Sequence, residues 1–317
     1  DASLETRVVE PLDESSEDTI LRDNNLASIK NTPEYARNKA SDTPTNRLCT
    51  SLFSRERLAF LLRYAFAHLD TEAGIEKHVM RYPQLFASHA ISSALATGTR
   101  KGIIWHTQGS GKTALAFYNV AYLTDFFQTQ DVVPRFYFIV DRLDLLKQAV
   151  DEFTKRGLTV NLIESRDAFA RDIKKPGVVR NDRGQHEITV VNIQRFADDP
   201  EVTRPDDYNL SVQRVYFLDE VHRSFNPRGS FLANLEQSDR NAIKIGLTGT
   251  PLIGPHANSR ALFGDYLHKY YYNASIADGY TLRLIREAIA TRYQLQMQQA
   301  LEQIEVQQGG IERKALY

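Results

Sequence analysis

Cysteine is nearly missing from this sequence: Cys49 is the one thiol in 317 residues. A single thiol excludes an internal disulfide framework and any multi-cysteine zinc site, and it fits a reducing compartment, the cytoplasm. An excess of one charge is missing too, since 39 Lys plus Arg face 40 Asp plus Glu, a net of −1. No global basic footprint announces nucleic acid, so any track for it must be local. No apolar run approaches the ~18 residues that would suggest a membrane span. The first residues show no charged-apolar-small signal segment. A soluble protein with no membrane partner is the expectation. Internal repeats and long low-complexity tracts are lacking as well. The length suffices for one large α/β domain with a sizeable core, plus an appendage.

What is present is concentrated in eight residues, His106-Thr107-Gln108-Gly109-Ser110-Gly111-Lys112-Thr113. The apolar run Gly102-Ile103-Ile104-Trp105 precedes them and Ala114-Leu115-Ala116-Phe117 follows. Strand, glycine-rich turn, Lys-Thr and helix form an arrangement whose backbone N–H groups and helix N-terminus cradle phosphate. Gln108 to Thr113 are therefore candidate ATP-binding residues. Lys112 would reach the β- and γ-phosphates, and the Thr113 hydroxyl would ligate Mg²⁺. The P-loop pattern is broken once, because His106 stands where its first glycine belongs.

About a hundred residues on, Val215-Tyr216-Phe217-Leu218 runs into Asp219-Glu220-Val221-His222. An apolar run ending in two acids reads as a buried strand that delivers carboxylates to the C-terminal edge of a sheet. Burying adjacent acids is costly, and a bound cation offsets that cost. Asp219 is the candidate metal ligand, which leaves Glu220 to orient and deprotonate the water that attacks the γ-phosphate. A third signature, Leu247-Thr248-Gly249-Thr250-Pro251, follows the apolar run 242–246. Gly249 and Pro251 enforce a sharp exit from that strand.

Between these motifs the chain alternates strand and helix. Strands are expected at 136–140 and 188–191, with a helix at 143–155 whose Leu145, Leu146, Ala149, Val150 and Phe153 face inward. Near-continuous apolar strands separated by helices predict a mostly parallel sheet covered by helices on both faces. Upstream, apolar spacing predicts a helix over 56–69, and a second short helix is expected at 79–84. Residues 174–185 read as a basic surface loop. A long helix is expected from about 282, stopped by Gly309-Gly310. Trp105 and the triplet Tyr270-Tyr271-Tyr272 read as packing.

In the order P-loop, Asp-Glu-Val-His, Thr-Gly-Thr-Pro, the chain resembles the first RecA-like lobe of superfamily 2 helicases and translocases. More narrowly, it is similar to the HsdR motor subunit of type I restriction enzymes. The narrower likeness rests on residues 104–113 with their His106, on Phe138-Ile139-Val140-Asp141-Arg142-Leu143-Asp144-Leu145, on Asp219 to Ser224 and on Gly246 to Pro251. The resemblance implies an α/β, RecA-like P-loop NTPase lobe over 55–272. Residues 1–54 would be a linker or remnant of a preceding domain, and 273–317 a helical connector toward a second lobe. It implies an ATP- and Mg²⁺-dependent motor that translocates double-stranded DNA, with methyltransferase and specificity subunits as partners. Gln84 would pair with adenine through one donor and one acceptor. His222, Thr248 and Thr250 would couple the acid-bearing strand to the rest of the motor, and Arg142, Gln194 and Arg195 would touch DNA phosphates. Two alternatives stand beside this one: another superfamily 2 helicase or translocase, and a nucleotide-gated scaffold.

Overall fold

The computed structural model describes residues 13–23, 25–40, 42–43, 49, 52–53, 55–177, 179–192, 212–220, 235, 239, 241–251, 259–282 and 291–308. The chain divides into two compact units, Asp1–Ser275 and Ile276–Tyr317. In the first unit, helices α1 (Glu14–Asp23), α2 (Pro33–Lys39) and α3 (Arg55–Tyr64) lead into strands β1 (Phe66–Thr71) and β2 (Gly74–Val79). There follow α4 (Tyr82–Ala96), β3 (Lys101–His106), α5 (Lys112–Gln128), β4 (Pro134–Val140), α6 (Leu143–Lys155), β5 (Thr159–Ile163), α7 (Arg166–Asp172) and β6 (Glu187–Asn192). The remaining elements are β7 (Gln213–Asp219), β8 (Ile243–Thr248), α8 (Ser259–Phe263), β9 (Tyr266–Tyr270) and α9 (Tyr272–Ala277). Within the second unit, Thr291–Gln308 forms α10.

Seven strands make one sheet in the order β5-β6-β4-β7-β8-β3-β9, and every pairing in it is parallel. The apolar runs of the sequence explain this, because a parallel sheet with helices on both faces buries both sides of its strands. In β4, Ile104's side of the sheet receives Phe136, Phe138 and Val140, packed with α4, α5 and α6 through Ile91, Leu115, Leu123 and Phe153. The opposite side receives Tyr137 and Ile139, with Phe169 and Ile173 of the α7 region and Phe263 of α8. The P-loop strand β3 sits between β8 and β9, so the chain leaves it and crosses over the places of β8 and β7 to β4. Crevices at the carboxyl ends of strands near such a crossover are where open α/β sheets bind ligands.

Two expectations fail upstream of β3. The helix predicted over 56–69 stops at Tyr64, and β1 and β2 form an antiparallel hairpin from Phe66↔Val79 to Thr71↔Gly74. Beyond Ala65 the periodicity changes from helical to alternating: Ala67 and Leu69 point inward to Phe60, Met80, Leu85, Ala114 and Tyr118. Residue 79 therefore ends a strand instead of starting a helix. The helix here begins at Tyr82, with Pro83 in its first turn, where a missing N–H costs nothing. Strands β5 and β9, both at sheet edges, were not anticipated. Of the long C-terminal helix, 291–308 is helical and 283–290 lies outside the described residues.

Candidate functional site

The turn after β3 is built by two glycines in the left-handed region, Gly109 at φ +79° and Gly111 at φ +80°. Gly111 is also the N-cap of α5, so Lys112 and Thr113 occupy the helix's first turn, where unpaired N–H groups face outward. A side chain at Gly111 would collide with Gln84 Nε2, whereas space over Gly109 is open. Lys112 Nζ makes only long contacts, 3.4 Å to the carbonyls of His106 and Thr107 and 3.9 Å to Glu220 Oε1. Thr107 Oγ1 and Ser110 Oγ are buried without a hydrogen-bond partner. An open left-handed turn, loosely held ammonium and orphaned hydroxyls fit a phosphate chain.

Beside this cradle, β7 delivers its acids as the sequence implied. Asp219 pairs in register with Val140 of β4 on one side and Leu247 of β8 on the other. Burial pushes its carboxyl up to about 6, Lys112 pulls the other way, and Glu220 and Asp141 add to the rise. A desolvated carboxylate among like charges is a place where a cation is welcome. No group of three or more His, Cys, Asp or Glu is placed to hold a metal alone among the described residues. The Asp219 carboxylate and the Thr113 hydroxyl are the groups here that could hold a Mg²⁺, which commonly takes few protein ligands and completes its shell with phosphate oxygens and water.

Glu220 stands in the left-handed region, φ +52°, without being glycine, a conformation that costs about 1–3 kcal/mol. What holds it there is β8 and the turn that follows. Its N–H donates to the Leu247 carbonyl at 3.0 Å. Its carboxylate accepts from Thr248 Oγ1 at 2.7 Å and from Gly249 N at 2.8 Å. Thr250 N in turn donates to Thr248 Oγ1 at 3.1 Å. The Thr-Gly-Thr turn is thus bound to Glu220 by specific hydrogen bonds.

His106, at the position of the missing glycine, is fully buried, and its Nε2 lies 2.7 Å from Nδ1 of His268 on β9. Burial holds His106 well below its ordinary value, with His268 and Lys112 adding to the effect, and burial pushes His268 down to about 4. Both rings are therefore neutral, and one donates to the other. The root of the P-loop is tied by this bond to the edge strand. Nothing in the sequence reading pointed to His268, because β9 was not recognised as a strand.

The structure gathers Gln108 to Thr113, Asp219, Glu220, Thr248 and Thr250 around the ends of β3, β7 and β8. Gln84, buried on α4, lies against this turn: Oε1 accepts from Arg81 N at 2.8 Å, and Nε2 donates to the Gly111 carbonyl at 2.9 Å. Arg142, just past β4, is engaged by its neighbour, with Nε 3.1 Å and one terminal nitrogen 2.7 Å from the Asp144 carboxylate. His222, Gln194 and Arg195 lie outside the described residues.

A model of the SWI2/SNF2 ATPase family matches residues 83–314. The chain belongs to the SWI2/SNF2 ATPase family. That match takes in the P-loop, the acid pair and the Thr-Gly-Thr turn, so this SWI2/SNF2 ATPase domain is a nucleotide-binding one. Among its relatives are endonuclease subunits of type I restriction enzymes. That of SauCOLORF180P from Staphylococcus aureus (strain COL) is 32% identical over 212 residues, covering 64% of this chain and 21% of the relative. That of HindI from Haemophilus influenzae is 26% identical over 262 residues, covering 77% of this chain and 24% of the relative. The SWI2/SNF2 chain spans about a fifth of the length of the curated relatives it matches. Among solved structures, the Sulfolobus solfataricus SWI2/SNF2 ATPase core in complex with dsDNA is 16% identical. That comparison covers 57% of this chain and 34% of the other, at a TM-score of 0.40.

Proposed function

We propose that this chain is the ATP-hydrolysing first lobe of a motor that moves along double-stranded DNA within a type I restriction enzyme. The observation that carries the reading is the meeting of Lys112, past the end of β3, with Asp219 and Glu220 at the end of β7, where Lys112 Nζ lies 3.9 Å from the Glu220 carboxylate. Lys112 binds the β- and γ-phosphates, and Asp219 with Thr113 would hold Mg²⁺, which neutralises phosphate charge when bound. Glu220 orients the attacking water and takes its proton. Its carboxylate keeps lone pairs for that water beyond the bonds from Thr248 and Gly249, and those bonds make the turn, with Thr250 and His222, the coupling device. Gln84 has one amide hydrogen and one carbonyl lone pair beyond its two bonds, the pair an adenine edge needs. Arg142, Gln194 and Arg195 would donate to DNA phosphates. The family resemblance implies methyltransferase and specificity subunits as partners, with a nuclease and a second lobe completing the motor. Arginine fingers from such a lobe are worth about 10³–10⁵ in rate, so the isolated chain should be nearly inert.

The test is nucleotide affinity by calorimetry and single-turnover hydrolysis by the complete motor, with and without duplex DNA. Lys112→Ala removes a charge-assisted contact worth ~1.5–3 kcal/mol and should weaken nucleotide binding about tenfold or more. Glu220→Gln should leave binding intact while hydrolysis collapses, and Asp219→Asn should weaken Mg²⁺-dependent binding. Unchanged affinity in Lys112→Ala, or hydrolysis near the parent rate in Glu220→Gln, would overturn the reading.

A further inference from the structure

The indole of Trp105 sits on a chain of contacts that ends on the Glu220 carboxylate. Trp105 is the register partner of Thr248 across the β3–β8 pairing. Its Nε1–H donates to the Gly249 carbonyl at 3.2 Å, and the N–H of that same glycine donates to Glu220 Oε1 at 2.8 Å. From the other side the indole is held by β9 and the residue that follows it. Tyr271 meets it edge-on at 4.7 Å and Tyr266 lies 5.2 Å away, with Lys269 Nζ 4.9 Å over the Tyr266 ring. Gly249 has little room to adjust on its own, because a β-carbon there would lie 3.2 Å from both Gln108 N and the His106 carbonyl. The glycine is thus pressed against the P-loop backbone and pinned from two sides.

We infer that Trp105 is a positioning residue for Glu220: by anchoring the Gly249 carbonyl, it fixes the N–H that holds the base. The inference rests on the reading of Glu220 given above. Its physical basis is that a hydrogen bond aims a carboxylate only if the donor is itself fixed. Gly249 has no side chain to fix its peptide, and the indole supplies the missing constraint. Because the indole leans on Tyr266 and Tyr271, a shift of the β9 edge would reach the base through one aromatic ring. Neither phosphate nor metal contacts are needed for this role, so it separates from nucleotide binding.

Two measurements test it. Trp105 is the only tryptophan in the chain, so ¹⁵N labelling gives a single indole signal. That signal should exchange slowly with solvent and shift in Glu220→Gln and Thr248→Ala, without nucleotide. An indole signal that exchanges freely, or is unmoved in both variants, would overturn the inference whether or not Glu220 is the base. In the complete motor, Trp105→Phe keeps an aromatic ring and removes the donor. Affinity for Mg²⁺-ATP should stay within about twofold while single-turnover hydrolysis falls about tenfold, and in a Glu220→Gln background the same change should add almost nothing. A full additive loss in that background, or parent-like hydrolysis in Trp105→Phe, would overturn the positioning role. Hydrolysis surviving in Glu220→Gln alone would instead remove the base assignment, leaving the indole measurement to decide the contact. Should Trp105→Phe not fold, the indole measurement stands by itself.

Discussion

At their N-terminal tips, β4 and β7 place Arg135 and Arg214 in register, and a buried carboxylate answers each. Asp172 receives Arg135 at 2.8 Å, the Tyr137 hydroxyl at 3.1 Å and Lys175 at 3.0 Å. Asp239 receives Arg214 through two nitrogens and the Tyr216 hydroxyl at 3.3 Å. At the C-terminal tips of the same two strands stand Asp141, Asp219 and Glu220, and the cation facing them is Lys112. One end of the strand pair is neutralised by ion pairs within the chain, and the other sets three carboxylates, one on a left-handed glutamate, beside a lysine. Even the balanced end is not free of cost, since burial pushes Lys244, which donates to the Asp239 carbonyl, down to about 8. The two ends of one strand pair are thus unlike: ion pairs hold the N-terminal end together, and the C-terminal end gathers carboxylates beside the glycine turn.

The largest effect is expected from unbalancing the ion-paired end. Asp239→Ala leaves Arg214 buried without its carboxylate, and removing one partner of a buried ion pair costs about 3–5 kcal/mol. Urea unfolding should show that loss, and pairing the change with Arg214→Met should recover most of it. A single variant within 1 kcal/mol of the parent would mean the two ends do not differ as described. The opposite sign is expected at the other end. Asp219 is raised in the fold from 3.8 to about 6, so folding favours its protonated form. The stability it contributes is present below pH 4 and is lost as pH rises through 6, a loss of roughly 3 kcal/mol when complete. In chelator-treated protein, Asp219→Asn should therefore gain stability relative to the parent as pH rises through that window and be the more stable of the two at pH 7.5. A parent that gains stability between pH 4 and 6 relative to the variant would refute the sign. The smallest effect belongs to Lys175, whose side chain is more than half exposed where it meets Asp172. Lys175→Ala should shift the unfolding midpoint by less than about 1 kcal/mol, as exposed pairs do.

The sheet was readable in the sequence because its central strands are buried on both faces, which leaves apolar runs such as Phe136-Tyr137-Phe138-Ile139-Val140 with no competing signal. The phosphate turn was readable because Gly109 and Gly111 supply backbone angles that other residues resist. The hairpin was not, because Leu58, Leu61, Leu62, Ala65 and Phe66 keep helical spacing up to its first residue. Its second strand is mostly exposed and shows no alternation. Edge strands β5 and β9 carry too few buried positions to stand out; in Thr159–Ile163 only Ile163 is buried. Within the site, the positions of Lys112, Asp219 and Glu220 were legible from motif order. The tie between His106 and His268, and that between Trp105 and Gly249, were not. Each joins residues more than 140 positions apart, and spacing along a chain carries no trace of such pairs.

The strand order also sets a timetable for synthesis. On the ribosome, β4, β5, β6 and β7 can pair with one another as soon as Asp219 emerges, but both partners of β3 come later. Ile243–Thr248 and Tyr266–Tyr270 are made roughly 140 and 160 residues after the phosphate-binding strand, which at ~5–20 residues per second leaves it with two open edges for about 7–30 s. Its glycine turn is therefore complete in sequence long before it has a sheet to stand on. The nucleotide cradle is the last seam of the sheet to close, and nascent chains halted before β8 should present β3 to chaperones as an unpaired apolar strand.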